Sequence, residues 1–259
     1  MLTQNQIKHI RSLQQKKFRD EYKQFLAEGP KLVEELIGSK FSFDCIYAKK
    51  EWLADNAARL QAKEIQFIEI NSKELERISG LIAPNVVLAV INTPEKSFPE
   101  NIFGKELILV LDQIKDPGNM GTIIRTADWF GINHIFCSEN TVDVFNPKVV
   151  QSSMGSISRV NVYYTGIEKL LTGIHTKVSI YGAYMNGENI HDIPVQPNGV
   201  IVIGNESSGI STELKQYIHH KVSIPYFRGP NERGAESLNA SIASAIMCYE
   251  FRKKTAHVS

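Results

Sequence analysis

The segment Leu107 to Ile132, LILVLDQIKDPGNMGTIIRTADWFGI, restricts the fold more than any other part of the chain. Its apolar run, Leu107 to Leu111, has the length and composition of a buried strand. A polar turn follows, Asp116-Pro117-Gly118-Asn119. Helical spacing then takes over, with Ile123, Ile124, Ala127 and Phe130 on one face and Gly131 as the stop signal. Strand, turn and helix in that order form the unit from which parallel sheets are wound. Two later segments share this look: Val200 to Gly209, VIVIGNESSG, and Glu236-Ser237-Leu238-Asn239-Ala240-Ser241 opening an apolar helix. Three such polar clusters mark an active site that none of them would mark alone.

The same patterning predicts strands over 107–111, 133–137, 178–183, 200–203 and 221–224. Helices are expected over 119–130, near 147–155, and over 211–219 and 238–252. That alternation argues a mostly parallel sheet with helices on both faces. Ahead of it, Gln6 to Gly38 reads as mostly helical. Strands at 43–48, 66–70 and 86–91 and helices at 51–62 and 73–78 complete a small α/β unit. Thr93 to Asn101 carries two prolines and no periodicity. The expected organisation is therefore a first domain over 1–92, a linker over 93–103 and a second domain over 104–259.

With 259 residues, 42% of them hydrophobic, the chain can bury two cores. Its 29 basic and 28 acidic residues nearly cancel, so bulk charge does not announce a nucleic-acid binder. The stretch from Lys8 to Lys31 is modestly basic, which fits a solvated helix face as well as an RNA-facing patch. Cys45, Cys137 and Cys248 lack C-x-x-C spacing and read as reduced, buried thiols, and the seven histidines form no ligand array, so no metal site is expected. There is no apolar run of membrane-spanning length and no signal-peptide character at Met1-Leu-Thr-Gln-Asn. A soluble, cytoplasmic protein is the expectation. The glycine-rich dinucleotide and P-loop fingerprints are absent, as is a G-x-S-x-G elbow, which leaves Rossmann dehydrogenase, P-loop enzyme and hydrolase readings with little support.

Taken together, Asp116-Pro-Gly-Asn119-Met-Gly121 with Arg125-Thr-Ala127, Gly204-Asn-Glu206-Ser-Ser-Gly209, and Ser237-Leu-Asn239 resemble the three motifs of SpoU-type RNA ribose 2′-O-methyltransferases of the SPOUT class. Pro147-Lys148-Val149 and Ser153-Met-Gly155-Ser156 look like that family's intervening segment. Lys16-Lys-Phe-Arg19 and Phe25-Leu-Ala-Glu28-Gly29 look like the accessory RNA-binding domain of its ribosomal-RNA members. The resemblance implies an α/β carboxy-terminal domain with a deep trefoil knot, preceded by a small α/β substrate-binding domain. It also implies S-adenosylmethionine as cofactor, a ribose 2′-hydroxyl of RNA as acceptor (ribosomal rather than transfer RNA), and a homodimer through the carboxy-terminal domains.

Carried over by position, the catalytic set is Arg125, Asn119, Glu206, Ser237 and Asn239, with Arg125 gripping phosphate and the others orienting it and the ribose. The cofactor contacts are Ala183, Gly204, Asn205, Ile224 and Leu238, largely through backbone. RNA contacts are Lys16, Lys17 and Arg19, joined by Arg228 and Arg233 in the stretch from Ile224 to Ser237, which is longer than the family's. Ser237 is also a candidate cap for the last helix, Asn119 a candidate cap for the earlier one, and Ile242, Ile246 and Tyr249 a core or dimer stripe. A non-catalytic RNA-binding or ribosome-assembly factor on the same scaffold is the rival reading.

Overall fold

The computed structural model describes residues 1–95, 97–99, 101–227 and 235–253. The chain forms two compact units: Met1–Glu95 with Asp143–Arg159, and Lys96–Val142 with Val160–Ser259.

The first unit contains helices α1 (Gln4–Ser12), α2 (Lys16–Tyr22), α3 (Pro30–Ile37), α4 (Lys50–Ala62) and α5 (Ser72–Ile78). Its strands are β1 (Gln24–Glu28), β2 (Phe43–Ala48), β3 (Phe67–Glu69) and β4 (Val87–Asn92), in the order β1-β4-β2-β3. Strand β4 runs antiparallel to β1 and β2, while β2 and β3 are parallel. The helical reading of residues 6–38 overlooks β1. Lys23, at φ 52°, ends α2 in the left-handed conformation, and Gln24 to Glu28 then pair in unbroken register with Asn92 to Leu88. Tertiary pairing overrides the local helical spacing there. A core of Ile10, Leu13, Leu26, Tyr47, Leu75, Ile78, Leu88 and Val90 fills one side of this sheet.

A segment from far along the chain completes the first unit. It carries α7 (Pro147–Ser153), which packs on β1, and Phe145 stacks on Phe25 with ring centroids 4.6 Å apart. The unit is thus discontinuous in sequence, a feature that the division into consecutive segments did not include.

The second unit holds strands β5 (Ile108–Leu111), β6 (His134–Cys137), β7 (Asn161–Tyr164), β8 (Ile180–Asn189), β9 (Val200–Ile203) and β10 (His220–Ser223). Helices α6 (Pro117–Trp129), α8 (Ile167–Ile174) and α9 (Ala240–Lys253) accompany them, and a 3₁₀ turn, Thr212–Tyr217, replaces the helix expected over 211–219. Strand β7 and helix α8 were not anticipated. Asn161–Tyr164 is a four-residue edge strand with a single fully buried residue, too short and too polar to stand out. The six strands lie in the order β10-β8-β9-β5-β6-β7, and all five pairings are parallel. Part of the expected linker belongs to this core: Ile102 is buried in it, and Phe98 and Phe103 pack on Phe136.

Chain order reverses at β5, with β6 and β7 on one side and β9, β8 and β10 on the other. The segments leaving β5 and β9 therefore diverge at the carboxyl ends of the strands. Open parallel sheets form a ligand crevice at such a switch point.

Candidate active site

Asp116 caps α6 by accepting a hydrogen bond from the Asn119 backbone N–H at 2.8 Å, and Pro117 occupies the first helical position. The cap is therefore Asp116 and not Asn119. That leaves the Asn119 side chain free for other work. Its Nδ2 donates a short hydrogen bond to Glu206 Oε1, and its Oδ1 accepts one from Asn239 Nδ2 at 2.8 Å. Residues separated by 87 and 120 positions thus meet at one amide. The three segments singled out from sequence converge, each contributing one polar side chain.

Asn239 does a second job. Its Oδ1 accepts from the Ser241 N–H at 2.9 Å and from Ser241 Oγ at 2.6 Å, so it, and not Ser237, turns the chain into α9. Asn205 shapes the loop after β9. Its Nδ2 donates to the Gln113 carbonyl at 2.9 Å, its Oδ1 accepts from the Ser207 N–H at 2.9 Å, and its backbone pairs with Gly209. Gly204 permits that closure: a Cβ there would run into the backbone of Gly209 and Ile210.

Two residues that sequence reasoning passed over hold the β5 and β9 loops together. Asp112, only 2% exposed, accepts from the Ser211 N–H at 2.8 Å and from the Ser211 hydroxyl. Gln113 adopts φ 58°, uncommon for a residue with a side chain, and its N–H donates to Ser138 Oγ at 2.8 Å. The available signal was position alone: they are the first polar residues after the β5 run.

Beside this network lies a cleft of about 590 Å³. Ala183, Gly204, Asn205, Ile224 and Leu238, the five expected cofactor contacts, all line it, as do Glu206 and Ser237. Ile203, Ile210 and Val222 add apolar wall. Also in the lining, and not foreseen, are Met185, Lys215, Tyr226, Phe227 and Glu236. Tyr184, another lining residue, has a buried hydroxyl with no hydrogen-bond partner among the described residues, and burial raises its pKa above the ordinary phenol value. Ser237 is exposed at the edge of the cleft.

Arg125 sits on the exposed side of α6 with Thr122 and Trp129, while Ile123, Ile124 and Ala127 face inward. It makes no hydrogen bond or ion pair among the described residues, so Glu206 and Asn239 hold Asn119 rather than Arg125. The cysteines are free and buried, and burial pushes the Cys248 thiol up to about 12, which removes it as a nucleophile at neutral pH. Among the described residues no group of three or more His, Cys, Asp or Glu side chains could hold a metal ion. Nor is any described helix long and apolar enough to cross a membrane.

In the first unit, Lys16 and Lys17 are exposed; Lys16 pairs with Asp20 at 3.2 Å. Arg19 corrects the expectation of an RNA contact. It is 4% exposed, and its guanidinium is spent on Asp143 Oδ2, at 2.6 and 2.9 Å, and on the carbonyls of Leu13 and Gln14, both at 2.9 Å. Arg228 and Arg233 lie outside the described residues.

Residues 106–249 match the model of the SpoU rRNA Methylase family. The chain belongs to that family. Ahead of the SpoU region, residues 4–89 match the MRM3-like substrate binding domain. The chain is 29% identical over 251 residues, 95% of each protein, to the 23S rRNA (guanosine(2553)-2′-O)-methyltransferase RlmP of Bacillus subtilis. A TrmH-family structure from Porphyromonas gingivalis superposes with a TM-score of 0.83 at 36% identity, covering 98% of this chain and 99% of that one. The AdoMet-bound rRNA methyltransferase from Sinorhizobium meliloti gives 0.84 at 29% identity, covering 100% and 97%. All three matches span both units of this SpoU protein.

Proposed function

We propose that this protein transfers a methyl group from S-adenosylmethionine to a ribose 2′-hydroxyl of RNA, with ribosomal RNA as its substrate class. The observation carrying the proposal is the meeting of Asn119, Glu206 and Asn239 beside the cleft at the carboxyl ends of β8, β9 and β10. The names of its relatives in Bacillus subtilis and Sinorhizobium meliloti support the reaction and the substrate class. The cleft suits the cofactor. Its volume is within the usual range for small-molecule sites, its walls offer Ile203, Ile210, Ile224 and Leu238 to an adenine ring, and its polar edge offers Glu206 and Glu236 to a cationic ligand. When bound there, S-adenosylmethionine supplies an electrophilic methyl on a sulfonium.

The chain's own residues do the rest by positioning. Arg125 presents a planar fork of donors with no partner among the described residues, which suits the phosphate beside the target ribose and an oxygen gaining negative charge. A guanidinium does not give up its proton, so Arg125 is not the base. Asn119, fixed from both ends, holds Glu206 in the polar wall against which the ribose is oriented, and Ser237 adds a hydroxyl at the edge. The first unit binds the RNA substrate, supported by its match to a substrate-binding domain and by exposed Lys16 and Lys17. The knotted path of the SPOUT class, a cytoplasmic location, and a homodimer through Ile242, Tyr249 and Trp129 complete the proposal. Of the stripe, Ile242 and Tyr249 are 50% and 53% exposed and so are not core of this chain, while Ile246 is half-buried.

The deciding experiment measures S-adenosylhomocysteine binding by calorimetry and methyl transfer to unmodified 23S rRNA made by in vitro transcription. Wild-type protein should do both, while Arg125→Ala and Arg125→Lys should bind the nucleoside normally and transfer almost nothing. Full activity in Arg125→Ala removes its assigned role. Nucleoside binding with no transfer by the wild type favours the non-catalytic RNA-binding factor.

A further inference from the structure

Two exposed aromatic rings stand at the edge of the cleft. Tyr226 and Phe227 follow β10, line the cleft, and are 55% and 91% exposed. Among the described residues nothing covers the Phe227 ring, although it lies beside a ligand cleft. Met185 and Leu238, 59% and 44% exposed, continue the same apolar rim. Large exposed apolar side chains gathered at one site mark a surface that is covered in use.

We infer that Tyr226 and Phe227 form the stacking platform for the base of the nucleotide being methylated. The inference rests on the proposed function. If a ribose 2′-oxygen is brought to the cleft for methyl transfer, its base must lie at the cleft mouth, because only two carbon atoms separate that oxygen from the glycosidic nitrogen. Among the described residues the rim is chemically suited to a base and unsuited to the RNA backbone: Glu206 and Glu236 put two carboxylates into the lining against one ammonium, that of Lys215, which disfavours phosphate. A splayed-out base, by contrast, offers a flat face of the kind that aromatic side chains take up in RNA recognition. Stacking is tolerant of base identity, so the platform holds the target nucleotide in place rather than reading its edge.

The test uses the full-length protein, S-adenosylhomocysteine calorimetry, and steady-state methyl transfer to unmodified, in vitro-transcribed 23S rRNA. Phe227→Ala and the Tyr226→Ala/Phe227→Ala double variant should raise KM for RNA by about 10-fold or more, as loss of base stacking does, with nucleoside affinity within about 2-fold of wild type. Phe227→Trp should restore KM. Phe227→Leu, which keeps the apolar bulk but lacks a π face, should not. An unchanged RNA KM in the double variant overturns the inference while leaving the proposed function intact. So does rescue by Phe227→Leu, or a loss confined to nucleoside affinity or to self-association, since the rings would then serve packing, the cofactor or a second copy of the chain. Wild-type protein that binds the nucleoside yet methylates no RNA removes the proposed function and this inference with it.

Discussion

A single amide organises the candidate site. Asn119 gives its N–H to Glu206 and receives an N–H from Asn239, so its side chain cannot be flipped without setting donor against donor and acceptor against acceptor. Asn119→Asp keeps the acceptor facing Asn239 but replaces the donor with a second carboxylate against Glu206. The like charges should separate, move the wall of the cleft, and lower single-turnover methyl transfer by about 100-fold, the scale on which small misplacements act. Glu206→Gln, added to Asn119→Asp, restores a donor between the two positions and should recover part of that loss. Additive effects in this double-mutant cycle would mean that the two residues do not act through their contact. Thermal melting checks that both variants remain folded.

At the scale of elements, the apolar strands β5, β6 and β9 were readable because burial on both faces leaves unbroken runs such as Val200–Ile203. The cleft residues were readable only in combination, since Ala183 or Ile224 alone is indistinguishable from core. What sequence could not reveal depends on partners far along the chain. Strand β1 exists because β4 pairs with it, and Arg19, one of three cations within four residues of α2, turns inward because Asp143 waits 124 positions away. That pair fastens α2 to the segment carrying α7, so Arg19 is predicted to matter for folding and Lys17 for RNA. Arg19→Ala leaves Asp143 half of a broken, largely buried pair and should cost about 3 kcal/mol in urea denaturation. Lys17→Ala should leave the denaturation midpoint unchanged. Equal midpoints for the two variants would return Arg19 to the surface.

At the scale of the whole molecule, the issue is what covers α6 and α9. These helices pack against each other, and α9 turns Ser244, Met247, Cys248 and Phe251 inward. Their outward side carries Thr122 and Arg125 but is not uniformly polar, as a solvated surface would be: Ile242 and Tyr249 are half exposed, and Trp129, at the end of α6, is 84% exposed. An isologous contact between two copies would bury this patch twice over, which is the usual way such apolar surface is accommodated in soluble enzymes. A dimer is therefore expected in sedimentation at micromolar concentration. Trp129→Glu combined with Ile242→Glu should place like charges in that contact and yield a monomer with unchanged far-ultraviolet circular dichroism, because neither side chain supports the core. Methyl transfer should fall along with self-association if the second copy helps to complete the cleft. A wild-type protein that sediments as a monomer while fully active would defeat the dimer, and a double variant that stays dimeric would move the interface to another face of the molecule.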